Sequence, residues 1–524
     1  MKQLASAIIL FIVLFSGKLF SQSATWTNGI AELVYHHCTG CHNPGGIGPF
    51  ALETYDDAVN WSTPMRTYVS TRKMPPWSPD ITYRHYANER ALLQSQVDSI
   101  VNWIDSGTPL GDSLQIPVAP HFNNGPVLGT PDLKLTIPTH VSQAGTSDEY
   151  ACFILPVNIP YDKYVRAIQI IPGNRAIVHH VVVIQDTTAA QTDCMLNILG
   201  DVMTSWAAGM SPTVFPNGAG IKLGERLKKG SNIMLQIHYP LGTAGQSDST
   251  SLLFYFYSDS EVANPNPPLR IVEEGLYVMN WLFYIAPNTT QTINAQYPTV
   301  GQTTQDISLF SVDPHMHLVG RTMLAFAVTP NGDTIPLSRV NNWQFSWQGY
   351  YTFRNLIKIP AGSMLYGSAY YDNTANNPYN PNHPPQAILP GEQTTNEMML
   401  IAFQYTAYQA GDENYNVDSL VTLPSNIISS VPEVYNPVPA KNISFNIYPN
   451  PGDGQFILSP VNLQQGTAEI TITDILGQAI YNKEVNNLHD PLNLDISSNP
   501  DGIYLVQVKK DHYYSAQRII LARR

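Results

Sequence analysis

Between Leu133 and about Val421 the apolar residues come in short alternating or wholly apolar runs, among them "HHVVVIQ", "NIMLQIHYP", "SLLFYFY" and "TMLAFAV", separated by stretches with Pro, Gly and Asn. Punctuation this frequent leaves no room for amphipathic helices and fits strands of antiparallel sandwiches. The composition agrees. Charged residues make up 13% of the 524 positions, against about a quarter in ordinary soluble domains, while there are 41 Pro and 29 Tyr. The formal charge of −13 offers no basic field for phosphates, so nucleic acid is not an expected partner.

A chain this long exceeds one ordinary core. The N-terminus has Lys2, an apolar run from Ala7 to Phe15 and small or polar residues near Ser21, which read as a signal peptide too short to span a bilayer. Further on, "NERALLQSQVDSIVNWIDSG" places Leu93, Val97, Ile100, Val101 and Ile104 on one helical face, with Asn88 as N-cap and Gly107 just past the C-terminus. The expected organisation is multidomain and mainly β. It comprises a signal peptide (1–21), a small α-helical unit (22–115), a Pro/Gly/Asn-rich linker (116–132), two antiparallel β-sandwiches (133–285 and 286–428), a second linker (429–442) and a small terminal β-sandwich (443–524).

The chain has four cysteines. Cys38 and Cys41, followed by His42, fit C-x-x-C-H, in which two thioethers hold a haem and the imidazole ligates its iron. A zinc cage would need a second cysteine pair at similar spacing, which the sequence lacks. Met74 in "RKMPPW" is the expected sixth ligand, with Met65 as competitor; a thioether there suits electron transfer. Cys152 and Cys194 remain, and export makes a disulfide between them chemically permissible.

Five histidines fall within the predicted strands. His315 and His317 form H-x-H, which puts both rings on one strand face, so they can chelate one metal. His179 and His180 are adjacent and need a strand end or bulge to share a metal, with His238 as third ligand. Imidazole with thioether suits copper; Met398 is a thioether candidate, although spacing alone does not separate it from Met399 or Met316.

Three resemblances follow from these motifs. Residues 25–111, with "CTGCH", "MPPW" and the closing helix in that order, resemble the class I cytochromes c. The segment 133–405 carries "HH", "PNGAGIKLGERLKKGSNIMLQIHY", "HMHLVGR" and "NEMM" in order and resembles the copper type II monooxygenases, the family of peptidylglycine α-hydroxylating and dopamine β-monooxygenases. That resemblance implies two jelly-roll-like sandwiches facing each other over a cleft. It assigns His179, His180 and His238 to an electron-storing copper, and His315, His317 and Met398 to the catalytic copper that binds dioxygen. It also places Tyr150 and Gln236 near the first copper and implies the Cys152–Cys194 bridge. Asp313 stands where the peptide-amidating branch has an arginine for its substrate's carboxylate, and Leu400 and Ala402 replace that branch's Asn and Tyr. A C-terminal glycine substrate is therefore not expected, and Asp313 becomes a candidate substrate contact. Residues 443–524, with "YPNPGDGQF", "ITDILGQAIY" and "DGIYLVQV", resemble the C-terminal sorting domains of type IX secretion substrates.

The resemblances together imply an oxidoreductase exported through the periplasm of a Gram-negative bacterium and secreted or held at the cell surface. It would use two copper ions and one covalent c-type haem to hydroxylate a small-molecule or peptide-like substrate with dioxygen. Electrons would come from ascorbate or a redox protein. The competing readings are a surface haem/copper electron-transfer protein without hydroxylase activity and an adhesive protein with structural metals.

Overall fold

The computed structural model describes residues 24–523 apart from 45, 121–124, 195–200, 346, 392, 421–444, 462–466, 475–478, 487, 489 and 511–512. The expected signal peptide and second linker lie outside these residues.

Residues 24–115 form the helical unit, with helices Ile30–His37, Tyr55–Asn60, Ser62–Ser70 and Gln94–Asp105. Trp26, Ile30, Val34, Val97, Ile100 and Trp103 are its buried centre. The last helix begins later than its periodicity predicts. Leu93, expected in the apolar face, is the N-cap and 54% exposed, and the Gln96 side chain accepts its amide hydrogen at 2.7 Å. Asn88, the expected cap, instead donates its amide to Asp418 at 2.9 Å. Gly107 does end the helix in a left-handed conformation, φ 84°, as a residue without Cβ can.

The first sandwich packs a seven-stranded sheet against a four-stranded one. The four-stranded sheet runs Glu149–Pro156, Asn232–Tyr239, His180–Asp186, Asp201–Ala207, and inward residues of both sheets, such as Val181, Val183, Ile233, Leu235 and Phe254, make the core. Cys152 and Cys194 are disulfide-bonded. The second sandwich stacks two four-stranded sheets: Glu273–Asn280, Met399–Ala407, Ile307–His315, Tyr351–Ile359, and Thr290–Tyr297, Met364–Asp372, Gly320–Val328, Thr334–Val340. Strand Glu273–Asn280, which the expected boundary at 285/286 gives to the first sandwich, pairs with Met399–Ala407 and belongs to the second. The terminal unit is a three-stranded sheet on a four-stranded one around Phe445, Phe456, Ile470, Leu494 and Val506. Among the described residues no helix is long and apolar enough to cross a membrane.

The two large sandwiches share an interface. Arg270 is paired with Asp412 at 2.7 Å with both side chains buried, Gln404 donates to the Met203 carbonyl and to Glu225 at 3.0 and 3.1 Å, and Phe310 of the second sandwich sits in the core of the first. The helical unit is fastened across both. Its segment 77–90, between the third and fourth helices, lies along the second sandwich: Asp80 pairs with Arg339 at 2.6 Å, the Ala87 amide donates to Thr352 O at 2.8 Å, and Tyr86, fully buried, enters the second sandwich's core.

Candidate functional site

The first cluster arises at a strand end. His238, on Asn232–Tyr239, lies directly opposite His180, the first residue of its strand. His179 stands just outside that strand, its amide donating to the His238 carbonyl at 3.0 Å. Being off the pleat frees its ring from the opposite face, as the adjacent-histidine argument requires. The His180 Nδ1 is 3.2 Å from His179 Nδ1 and 3.3 Å from His238 Nδ1, and the three rings' ligand atoms lie within 4.8 Å of one another. One imidazole nitrogen is a donor or an acceptor, not both, so the His180 Nδ1 cannot satisfy two such neighbours; three converging lone pairs fit a cation. Burial first, then the charge each ring would place on its neighbours, pushes His179 down to about 3 and His180 well below the usual imidazole range. Both are therefore neutral, the form that ligates metal.

The surroundings orient these rings. Asp148, which the sequence analysis did not single out, places Oδ2 3.4 Å from His238 Nε2, in ion-pair range but off hydrogen-bond alignment, while its Oδ1 accepts from Leu241 N at 2.8 Å. A carboxylate behind a ligating imidazole fixes which nitrogen faces the metal. Tyr150 pairs with His238 on the other side in register, and its ring stacks on the imidazole at 4.6 Å and 4°. Gln236 sits two residues before His238, in register with Cys152.

The second set is on the other sandwich. His315 ends its strand opposite Leu400; His317 lies two residues past that end and Met398 two residues before Leu400, so both fall at the same end of the pair. The His315 and His317 rings are 5.2 Å apart and perpendicular. His317 Nδ1 pairs with the Asn396 carbonyl at 3.1 Å, leaving Nε2 for a ligand, and Gln348 hydrogen-bonds the His315 ring. Burial above all pushes His315 down to about 3 and His317 to about 4. Met316 and Met399 belong to the sandwich's apolar core, and Met398, equally buried, does not. The pleat thus separates three methionines that spacing could not. A charge on His315 would also reach His180 and lower it, so the second set lies near the first.

Glu397 ties the second set together. Its buried carboxylate accepts the amides of His317 and Val319 at 2.8 Å and of Gly320 and Met398 at 3.2 Å. Burial raises this carboxyl to about 8 while the amides pull it down. Four donors occupy both oxygens and leave a carboxyl proton no acceptor, so we take the group as ionised. Its signal in the sequence is an acid immediately before the methionine of "NEMM". Asp313 lies two residues before His315; its Oδ1 is buried without a hydrogen-bond partner, burial raises the carboxyl to about 7, and no cationic side chain pairs with it among the described residues.

In the helical unit, Cys38 and Cys41 are unpaired and follow helix Ile30–His37 directly. His42 is 8% exposed, with Nδ1 3.0 Å from the Phe50 carbonyl and its ring 4.5 Å from the Phe50 ring. The loop after it is drawn tight: a Cβ on Gly48 would meet His42 Nδ1 at 2.6 Å. With Nδ1 taken, Nε2 is the nitrogen left for an iron. Beside the motif a small open cavity of ≈ 120 Å³ lies between Gly40, Gly46 and Ile47 on one side and Arg175, Trp206 and Met210 on the other. Met74 is 37% exposed and outside the unit's core, whereas Met65 is inside it.

Comparison with known proteins follows the same division. Residues 135–243 and 271–413 match the family models of the copper type II ascorbate-dependent monooxygenase N-terminal and C-terminal domains, and residues 446–522 match that of the secretion system C-terminal sorting domain. Similar proteins include dopamine beta-hydroxylase of Rattus norvegicus, 26% identical over 282 residues covering 48% of this chain and 44% of that protein. Tyramine beta-hydroxylase of Caenorhabditis briggsae is 23% identical over 252 residues, covering 43% and 41%. The chain thus spans less than half the length of these relatives. In order along the chain, the matched segments are similar to the N- and C-terminal domains of copper type II ascorbate-dependent monooxygenases and to a secretion system C-terminal sorting domain.

Proposed function

We propose that the protein is a secreted copper-dependent monooxygenase that hydroxylates a C–H bond of an organic substrate with dioxygen, drawing its electrons through a c-type haem on the helical unit. The observation that carries this reading is the convergence of three imidazoles on one sandwich, near a His-x-His and methionine set on the other. His179, His180 and His238 would hold one copper, and His315, His317 and Met398 the second; imidazole with thioether is the donor set copper favours. Cys38, Cys41 and His42 would hold the haem, for which the unpaired thiols and the committed Nδ1 of His42 are suited; Met74 is the sixth-ligand candidate. When bound, these groups supply one-electron transfer and oxygen activation.

The chain's own residues position and insulate. Asn396 sets the ring tautomer of His317, Asp148 places a carboxylate beside the His238 ring, Glu397 ties the His317 loop to the Met398 segment, and burial keeps His179, His180, His315 and His317 neutral. The balance is one dioxygen, one C–H bond, two electrons and two protons in, one hydroxylated product and one water out. Asp313, an unpartnered carboxyl near His315, would pair with a protonated amine, and the amines named for the relatives make such substrates the first to try. The sorting domain fits export through the type IX machinery to the cell surface or medium of a Gram-negative bacterium.

The test is oxygen-18 transfer from labelled dioxygen in the copper-loaded protein with ascorbate, offered dopamine, tyramine and a glycine-extended peptide. Label in a hydroxylated product, lost in Met398→Ala, supports the reading. Reductant-driven dioxygen consumption with no labelled product from any of the three would favour the electron-transfer alternative.

A further inference from the structure

The seam between the helical unit and the first sandwich brings the C-x-x-C-H motif against the first histidine cluster. Cys41 Sγ lies 3.5 Å from the Ala208 carbonyl oxygen. The Ala208 amide donates to the His179 carbonyl at 3.1 Å, and the His179 amide in turn donates to the His238 carbonyl at 3.0 Å. One residue of a turn therefore touches the haem-attachment sulfur with its carbonyl and a copper-ligand residue with its amide.

The turn is built for that approach. Met210 N donates to Ala207 O at 2.9 Å, closing a four-residue turn in which Gly209 has φ 81°, the conformation glycine adopts freely at the third position. A Cβ on Gly209 would stand 2.4 Å from Cys41 Sγ and 3.0 Å from Arg90 Nη1. The Trp206 indole donates to Met210 O at 3.1 Å and braces the turn from the sandwich side. From the other side the segment 77–90, with Asp80 and Tyr86 fixed on the second sandwich, keeps the helical unit in place. The contact is thus the meeting of two pinned surfaces, not a loose linker.

The geometry points to the turn Ala207–Met210 as the electron entry of the first copper, with the path running Cys41 sulfur, Ala208 peptide, His179. This rests on the proposed haem relay and names its route. One electron leaves the ferrous haem, which becomes ferric, and enters the Cu(II) held by His179, His180 and His238, which becomes Cu(I). An external one-electron reductant, ascorbate or a redox protein, restores the ferrous haem. Two such passes supply the two electrons of one hydroxylation.

The experiment uses the full-length protein with haem and oxidised copper bound, without oxygen. A light flash reduces the haem through an added photoreductant, and haem reoxidation is followed by absorbance. Two variants are compared with the parent. Ala208→Pro deletes the amide that donates to His179 at the second turn position, which proline tolerates well. Gly209→Ala inserts the methyl group that forces Cys41 away. Covalent haem by mass, haem midpoint potential and the copper EPR signal establish that both centres are intact. The expected result is copper-dependent reoxidation in the parent, slowed on the order of tenfold in each variant with potential and EPR signal unchanged. Copper-dependent reoxidation at the parent rate in both variants overturns the route while leaving the relay standing. No copper-dependent reoxidation in the parent overturns the relay itself, and the route with it.

Discussion

Replacing Glu397 by glutamine should remove one copper and spare the other. The carboxylate accepts four backbone amides, two on each oxygen: Val319 and Gly320 on Oε1, His317 and Met398 on Oε2. A glutamine amide keeps one oxygen and turns an NH2 group toward the other pair, so two buried donors lose their acceptor whichever way it is flipped. At about 1–3 kcal/mol for each buried unsatisfied donor, the loss is roughly 2–6 kcal/mol, concentrated on the loop that carries His317 and the start of the strand after Met398. The first set, on the other sandwich, uses none of these bonds. Copper per chain by elemental analysis should fall from two to one, the EPR signal of the remaining ion should match the parent's three-imidazole site, and the melting temperature should drop. Two coppers per chain and an unchanged melting temperature in Glu397→Gln would refute the reasoning, since that result requires a carboxyl that is already neutral in the parent.

Asp313→Asn should raise KM for a protonated amine substrate by roughly 10- to 150-fold, the value of a lost charged hydrogen bond of about 1.5–3 kcal/mol, and leave an uncharged analogue unaffected; steady-state kinetics on the two compounds checks this. In segment 77–90, the strap that holds the helical unit on the second sandwich, burial disfavours the Asp80 charge but the bonds from Thr82, Arg339 and Asn341 outweigh it and hold the carboxyl down at about 2, from 3.8. A depressed carboxylate stabilises the docked strap above its unfolded value and loses that contribution as pH falls through the folded one. Protection factors of residues 77–90, that is, exchange relative to the free-peptide rate at each pH, should therefore fall between about pH 4 and pH 2, and Asp80→Asn, at a cost of about 1 kcal/mol for a partly exposed pair, should show the lower protection already at neutral pH. Removing the bridge between Cys152 and Cys194, which are 42 positions apart in sequence, should destabilise the first sandwich by about 2–4 kcal/mol, read as a lower midpoint in denaturant.

The parts of the site legible in the sequence were those that depend on a strand's two-residue period. H-x-H places His315 and His317 together without further information, and the adjacent pair His179–His180 demands the strand end at which the structure puts it. Choosing Met398 over Met316 and Met399 needed the family resemblance, because only the pairing register tells which methionine leaves the core. Glu397 and Asp148 were not singled out: their partners are backbone amides and a ring nitrogen in distant segments, which no local pattern encodes. The same limit explains the helix that starts at Gln94. Periodicity marked Leu93 as apolar face and Asn88 as cap, but residues 77–90 are taken up by the second sandwich, and Tyr86 is buried in a core that is not its own unit's. Nothing in the run Trp77–Arg90 signals that it crosses to another domain.

The account stands on two copper sites on separate sandwiches, and anomalous diffraction at the copper edge from crystals of the copper-loaded, full-length protein tests it most directly. It predicts two peaks, one among the Nδ1 atoms of His179, His180 and His238 and one between the His315 and His317 rings with the Met398 sulfur as a ligand. A single peak, or a second one away from Met398, would contradict it.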